Sequence, residues 1–280
     1  MKVIRAEAMG FCFGVRDALT LAGQVAQPAD VTIHGELVHN ETVLHGLRAR
    51  GFRLSHEQAR AQLTDSPVVM VTAHGISGNE RQRLKAAGKQ LIDTTCPLVA
   101  HVHETAQELQ AAGFFVVVIG RRGHVEVCGI VEDLDQCAVV ERPEEVRAYP
   151  YDRLGIVCQT TAAARDVSEI RAAIEHKNRD AEIRFVDTVC KPTKDRQAAL
   201  EHLLDRVGAM VVVGGRNSNN TRRLVARCEE RGVPVCHVQS AADLDPAWFS
   251  PFETVGLTAG TSTPDDVIDG VYAALVALPG

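Results

Sequence analysis

The sequence has no Cys-x-x-Cys pair, no G-x-G-x-x-G fingerprint and no P-loop. Each absence removes a class of protein. Structural zinc usually takes four ligands from close cysteine pairs, which argues against a zinc finger or ribbon. Gly120-Arg121-Arg122-Gly123-His124 and Gly214-Gly215-Arg216-Asn217-Ser218 follow strand-like runs but do not make a dinucleotide turn. Electrons, if the chain uses them, must then come from another protein. A basic excess is also missing. The net charge is −6 and the pI about 6.0, which argues against a nucleic-acid face. Any anionic ligand must be held by a local cluster of donors. Apolar runs such as Phe114 to Ile119 are too short to span a membrane, and MKVIRAEAMGF lacks a signal peptide's apolar stretch. A cytoplasmic protein with reduced thiols is expected, with neither membrane nor nucleic acid as partner.

What is present is ordinary in bulk: 280 residues, 45% apolar and 24% charged. That length allows one large domain or two to three small ones. Eight cysteines in a reducing compartment suggest metal or catalysis for some of them. Three stand out. Apolar runs lead into Cys12, Cys96 and Cys190, and a helix-like segment follows each. Asp93-Thr94-Thr95-Cys96-Pro97 is nearly repeated as Asp187-Thr188-Val189-Cys190, with Pro192 one place late.

With these cysteines as origins the chain reads as an internal repeat. After Cys96 the spacing predicts a helix over Pro97–Ala112 with Val99, Val102, Ala106 and Leu109 on one stripe, and Gly113 as its stop. A strand over 114–119 follows, ending in Gly120. After Cys190 the same order gives a helix over 192–207 and a strand over 209–213, ending in Gly214. After Cys12 it gives a helix over 15–26 and a strand over 31–33. Second strands are expected at 67–72, 154–158 and 254–257. Alternation of this kind indicates parallel sheets built from βαβ units. The expected fold class is α/β: three small parallel-sheet lobes in a pseudo-threefold, trefoil-like arrangement around a central site. The lobes would cover 14–95, 96–189 and 190–280, the last completed by the N-terminal strand 1–13.

In such sheets ligands bind beyond the carboxyl ends of the strands. Six polar loops lie there: His39-Asn40, His74-Gly75, Gly123-His124, Thr160-Thr161, Ser218-Asn219-Asn220 and Thr261-Ser262-Thr263. Each precedes a helix, whose N-terminus favours an anion. Taken singly, Ser, Thr and Asn at these places are explained as helix caps. His is not a preferred cap, so His39, His74 and His124 read as ligands of a phosphate or diphosphate. His101 and His103 read as exposed helix residues. Glu126, two places after His124, suits a proton donor better than an anion ligand, with a solvated glutamate as the alternative.

A lone cytosolic cysteine is most often a buried core residue. Matching placement at three strand-to-helix turns favours ligands for Cys12, Cys96 and Cys190. Cys128, Cys137, Cys158, Cys228 and Cys236 fall inside expected strands or helices and read as packing. Three distant thiolates suit an iron–sulfur cubane with one iron left open as a Lewis acid.

Together the motifs GFCFGV, ELVHN, TAHGIS, DTTCPLV, GHVEV, QTT, the Cys190 segment with Arg196-Gln197, RNSNN and TAGTS span nearly the whole chain. The ordered set resembles the 4-hydroxy-3-methylbut-2-enyl diphosphate reductase family of the non-mevalonate isoprenoid pathway. The resemblance implies a 4Fe–4S cluster, one per subunit, on Cys12, Cys96 and Cys190. It implies that His39, His74, His124, Ser218, Asn219, Asn220 and Ser262 hold a diphosphate. Thr160 would meet the substrate's alcohol end and Glu126 would supply protons. The implied reaction is reductive dehydroxylation of the allylic diphosphate to isopentenyl and dimethylallyl diphosphate. Electrons would come singly from an external donor such as ferredoxin or flavodoxin. The chain departs from the family at Phe13, where a small residue is usual, at Val125, where proline is expected, and at Asn219, where serine is common. Lys191-Pro192-Thr193-Lys194-Asp195 and Arg121-Arg122 are also atypical. The alternatives are a divergent paralogue acting on another small diphosphate, or a non-enzymatic protein, either a cluster-bearing sensor or a zinc-bound structural protein.

Overall fold

The computed structural model describes residues 1–57, 60 and 62–278. From the N-terminus, β1 (Lys2–Arg5) leads into α1 (Phe13–Gly23), β2 (Val31–Ile33), α2 (Glu41–Ala49), β3 (Arg53–Leu54), β4 (Val68–Val71), α3 (Gly78–Ala86) and β5 (Gln90–Asp93). Next come α4 (Pro97–Ala111), β6 (Phe115–Ile119), α5 (Val125–Val131), β7 (Cys137–Val140), β8 (Arg153–Cys158), α6 (Ala164–Lys177) and β9 (Glu182–Phe185). The chain closes with α7 (Lys191–Leu204), β10 (Ala209–Val213), α8 (Asn219–Glu230), β11 (Val235–Val238), α9 (Pro246–Phe249), β12 (Thr254–Ala259) and α10 (Asp265–Val276).

Among the described residues these strands form three four-stranded sheets, in the orders β1-β12-β10-β11, β3-β2-β4-β5 and β7-β6-β8-β9. Every pairing in them is parallel. The same order recurs: a central strand, the next strand outside it, a third strand on the other side, and an edge strand. In the first sheet that edge place is taken by β1, which pairs with β12 from Lys2↔Thr254 to Arg5↔Leu257.

Contacts divide the chain into two compact units. One comprises Met1–Arg16, Val38–Gly46 and Lys191–Gly280, and the other Asp17–Leu37 and Leu47–Cys190. In the first unit, β10 shows why its strands are apolar throughout. Val211 and Val213 pack with Ile268, Val271 and Leu275 of α10. Met210 and Val212 face the other way, against Leu200, Leu203 and Leu204 of α7 and Leu224 of α8. Successive side chains point to opposite faces, and helices cover both.

The second unit repeats this with β6. Val117 and Ile119 pack toward Ile170 and Ile174 of α6, and Val116 and Val118 toward Val102, Ala106 and Leu109 of α4. The helix expected after Cys96 is observed one residue shorter, and the strands expected at 31–33 and 209–213 are observed with those bounds. The helix expected after Cys12 starts and ends earlier than its apolar stripe suggested, because it begins directly behind the cysteine.

Candidate active site

Each of the three cysteines follows an edge strand and starts a helix: Cys12 before α1, Cys96 before α4 and Cys190 before α7. The backbone is pinned in the same way each time. The Cys12 N–H donates to Thr261 O at 3.0 Å, Cys96 to Ala73 O at 3.1 Å and Cys190 to Thr160 O at 3.0 Å. Each acceptor lies in the loop leaving the neighbouring strand, so one hydrogen bond ties every cysteine to a polar loop. The three side chains are partly exposed. They sit at helix N-termini, where the backbone favours an anionic ligand atom. Arg196 of α7, 6% exposed, adds a second hold on the first of them. It donates to Gly10 O at 2.5 Å and to Pro192 O at 2.8 Å.

The remaining cysteines differ in kind. Burial raises the thiol pKa of Cys128, Cys137 and Cys236, and pushes Cys228 up to about 12. Cys158 is fully buried in β8. These thiols resist ionisation or access, as expected for packing residues.

In the first unit, His39, Ser218, Asn219, Asn220 and Ser262 are all less than a tenth exposed. Ser218 caps α8 by accepting the Thr221 N–H at 3.3 Å. Asn220 Oδ1 accepts the Thr261 N–H at 3.1 Å, while its buried Nδ2 has no hydrogen-bond partner among the described residues. A buried amide donor left unmatched costs free energy unless a ligand or water meets it. Ser262 Oγ donates to His39 O at 3.0 Å. Gly215 permits that loop to lie close, since a Cβ there would stand 2.5 Å from His39 O. Ser262 therefore also fixes the His39 backbone, and its hydroxyl must rotate to reach an anion.

In the second unit, the His74 and His124 rings meet edge to face, with centroids 5.7 Å apart. His124 Nδ1 accepts the Glu126 N–H at 3.2 Å and so caps α5. The expectation that capping does not explain these histidines is corrected at this position. The cap has a chemical consequence: with Nδ1 accepting, the neutral ring carries its proton on Nε2 as a donor. Glu126 is 1% exposed and accepts from Thr160 N at 2.6 Å and Thr160 Oγ at 2.9 Å. It is not a solvated glutamate. Val125 stands at the first position of α5, where proline would fit equally well. Phe13, directly after Cys12, is 45% exposed.

One buried and one half-buried histidine escaped the sequence reading. His34, after β2, lies 2.9 Å from Glu80 Oε1. His103 on α4 was expected to be exposed, but its Nε2 is buried. Burial is the main cause lowering both pKa values below the ordinary 6.5. Arg60 adds to this at His34 against Glu80, whereas Asp133 opposes it at His103. Both stay neutral when folded and take up protons on unfolding. Stability is therefore at its plateau above pH 6.5 and falls as pH drops below it. The urea midpoint should drop between pH 7 and pH 5.5, and less so in the His34→Gln/His103→Gln double variant. A midpoint equally steep in both proteins would contradict this.

A sequence model of the family described as LytB protein matches residues 3–276. The chain belongs to the LytB protein family. This LytB-family chain is 37% identical over 278 residues to the 4-hydroxy-3-methylbut-2-enyl diphosphate reductase of Pelobacter propionicus, covering 98% of both chains. It is 35% identical to the enzyme of that name from Anaeromyxobacter, covering 99% of this chain and 98% of that one. A solved structure of the (E)-4-hydroxy-3-methyl-but-2-enyl diphosphate reductase, described as the terminal enzyme of the non-mevalonate pathway, matches with a TM-score of 0.69. It is 33% identical, with 99% of each chain covered. The reductase structure from Plasmodium falciparum matches with a TM-score of 0.91 at 27% identity, covering 99% of this chain and 89% of that one. The α/β fold with three parallel sheets is thus the LytB fold.

Membership in the family implies an iron–sulfur cofactor. The donors fit such a group: three accessible thiols at helix starts, each with its backbone pinned. Among the described residues, no three His, Cys, Asp or Glu side chains gather closely enough to hold a single ion.

Proposed function

We propose that this LytB-family chain is a 4-hydroxy-3-methylbut-2-enyl diphosphate reductase. It is an oxidoreductase of the non-mevalonate isoprenoid pathway, removing the allylic hydroxyl to give isopentenyl and dimethylallyl diphosphate. The observation that carries the chemistry is the buried Glu126 carboxyl, gripped by the N–H and hydroxyl of Thr160 on a helix capped by His124. A carboxyl sequestered among anion donors makes a poor phosphate ligand but a well-placed acid.

Cys12, Cys96 and Cys190 hold a 4Fe–4S cluster, one per chain. When bound, it supplies single electrons and a Lewis-acidic iron. The chain's own residues do the rest. Asn220 Nδ2, Asn219, Ser218 and Ser262 offer amide and hydroxyl donors from one unit. His39, His74 and His124 add ring donors, and together these hold the diphosphate, as its charge-assisted bonds require. Thr160 sets the direction of the Glu126 carboxyl and meets the substrate's alcohol end. Glu126 gives a proton to the departing hydroxyl, which leaves as water. The balance is two electrons and two protons per turnover: the C–O bond breaks, one proton enters the water and the other the allylic carbon. The electrons come from a separate one-electron protein such as ferredoxin or flavodoxin, in keeping with the missing dinucleotide fingerprint. The cytoplasm is the compartment where these thiols stay reduced. Among the described residues no helix is long and apolar enough to cross a membrane.

Anaerobically reconstituted protein, given a reduced one-electron donor, should convert the hydroxylated allylic diphosphate into both isoprene diphosphates. Recovery of unchanged substrate from iron-loaded protein would overturn the reading.

A further inference from the structure

We infer that His103 is a positioning residue. Its ring sets the spacing between the loop that carries His74 and the helix that carries Glu126. His103 lies on α4, the helix that starts behind Cys96. Its Cε1–Nε2 edge reaches into the place that Gly129 leaves empty and lies in contact range of Gly75. A Cβ on Gly129 of α5 would come 3.1 Å from His103 Cε1 and 3.5 Å from Nε2. A Cβ on Gly75, the residue after His74, would come 3.6 Å from Nε2, behind Thr95 Cγ2 at 3.2 Å and Val99 Cγ1 at 3.4 Å. Gly75 is also held at φ +73°, a conformation that side chains avoid.

Gly129 has no such backbone reason. It sits inside a helix, where glycine is among the poorest choices, and its backbone lies against the ring. Occupation by the imidazole accounts for it. Gly129 lies three residues from Glu126 on the same helix, so moving this contact moves the acid.

A second group of bonds fixes the far side of the wedge. Asp133, just beyond α5, accepts the Gly78 N–H at 2.6 Å and the Asn79 N–H at 3.1 Å at the start of α3. It also accepts from Gln107 of α4 at 3.2 Å. With α3, α4 and α5 stitched there, the thickness of the ring between Gly75 and Gly129 becomes the adjustable dimension. This reading rests on the proposed reductase function for its kinetic consequence, but its geometric part does not.

The test is a double-substitution cycle. Gly129→Ala alone crowds the ring, and His103→Ala alone leaves a gap. Each should lower kcat/KM by about tenfold to a hundredfold, mainly in kcat, because small misplacements of a reacting group are costly. Cluster absorbance should stay at the wild-type level. The added methyl fills part of the gap in the double variant, so it should be more active than the product of the two single effects predicts. Pyrophosphate affinity, which reads the placement of His74, should show the same recovery. Independent effects in both readouts would overturn the inference. If wild type does not turn over the allylic diphosphate, the reductase reading fails by itself, and coupling in pyrophosphate binding still decides the role of His103. Should His103→Ala fail to fold, His103→Asn with Gly129→Ala supplies the cycle.

Discussion

Glu126→Gln should lower kcat by roughly 10²–10⁴, while the protein stays folded, loaded with iron and able to bind pyrophosphate. Glutamine keeps the size and the acceptor that Thr160 N–H meets at 2.6 Å. Its amide can donate to the Thr160 hydroxyl, which rotates from donor to acceptor at the 2.9 Å contact. The helix and its His124 cap are therefore undisturbed, and only the acidic proton is lost. Thr160→Val keeps the backbone bond and removes the hydroxyl, so its activity should fall between wild type and Glu126→Gln. Steady-state kinetics beside pyrophosphate titration checks both. A Glu126→Gln protein that turns over like wild type would remove the proton-donor role, while loss of pyrophosphate binding would reassign Glu126 to the architecture.

Serine at Cys12, Cys96 or Cys190 should strip the protein of most of its bound iron and of turnover together. A serine oxygen is a hard donor and replaces a soft thiolate poorly. The bonds that tie these residues to the polar loops are backbone N–H to carbonyl and survive the substitution, so the fold itself should persist in each variant. The contrast is Cys228→Ser. That thiol, raised by burial to about 12, packs in the core with Leu224, and its loss should weaken stability by about 1 kcal/mol and leave the iron in place. Iron and sulfide assays with visible absorption, run on all four proteins, separate the two classes. Equal iron loss in the Cys228→Ser protein would contradict the assignment, as would full iron in any of the other three.

Much of this was legible in the sequence because the repeat ties local pattern to site. Edge strand, cysteine and helix follow one another in the chain, so Cys96 could be placed at a helix start from Pro97 and the stripe behind it. The polar loops were readable for the same reason. His103 was missed because it was judged as a polar residue on an exposed helix. It stands four residues after Val99 and one after Val102, at the margin of the buried stripe. The glycines that receive it, Gly75 and Gly129, lie far off in the chain, so only folding brings the fit into view. His124 was misjudged as too poor a cap because propensity is an average, and the Glu126 N–H lies within reach of its Nδ1.

The central claim is that this chain couples one-electron delivery to loss of the allylic hydroxyl. Its most direct test is the ratio of donor oxidised to diphosphate product formed, measured anaerobically with the reconstituted protein. The account predicts two one-electron equivalents per isoprene diphosphate, with no product when the reduced donor is withheld. Product formed without donor oxidation, or donor oxidised with the substrate left intact, would contradict it.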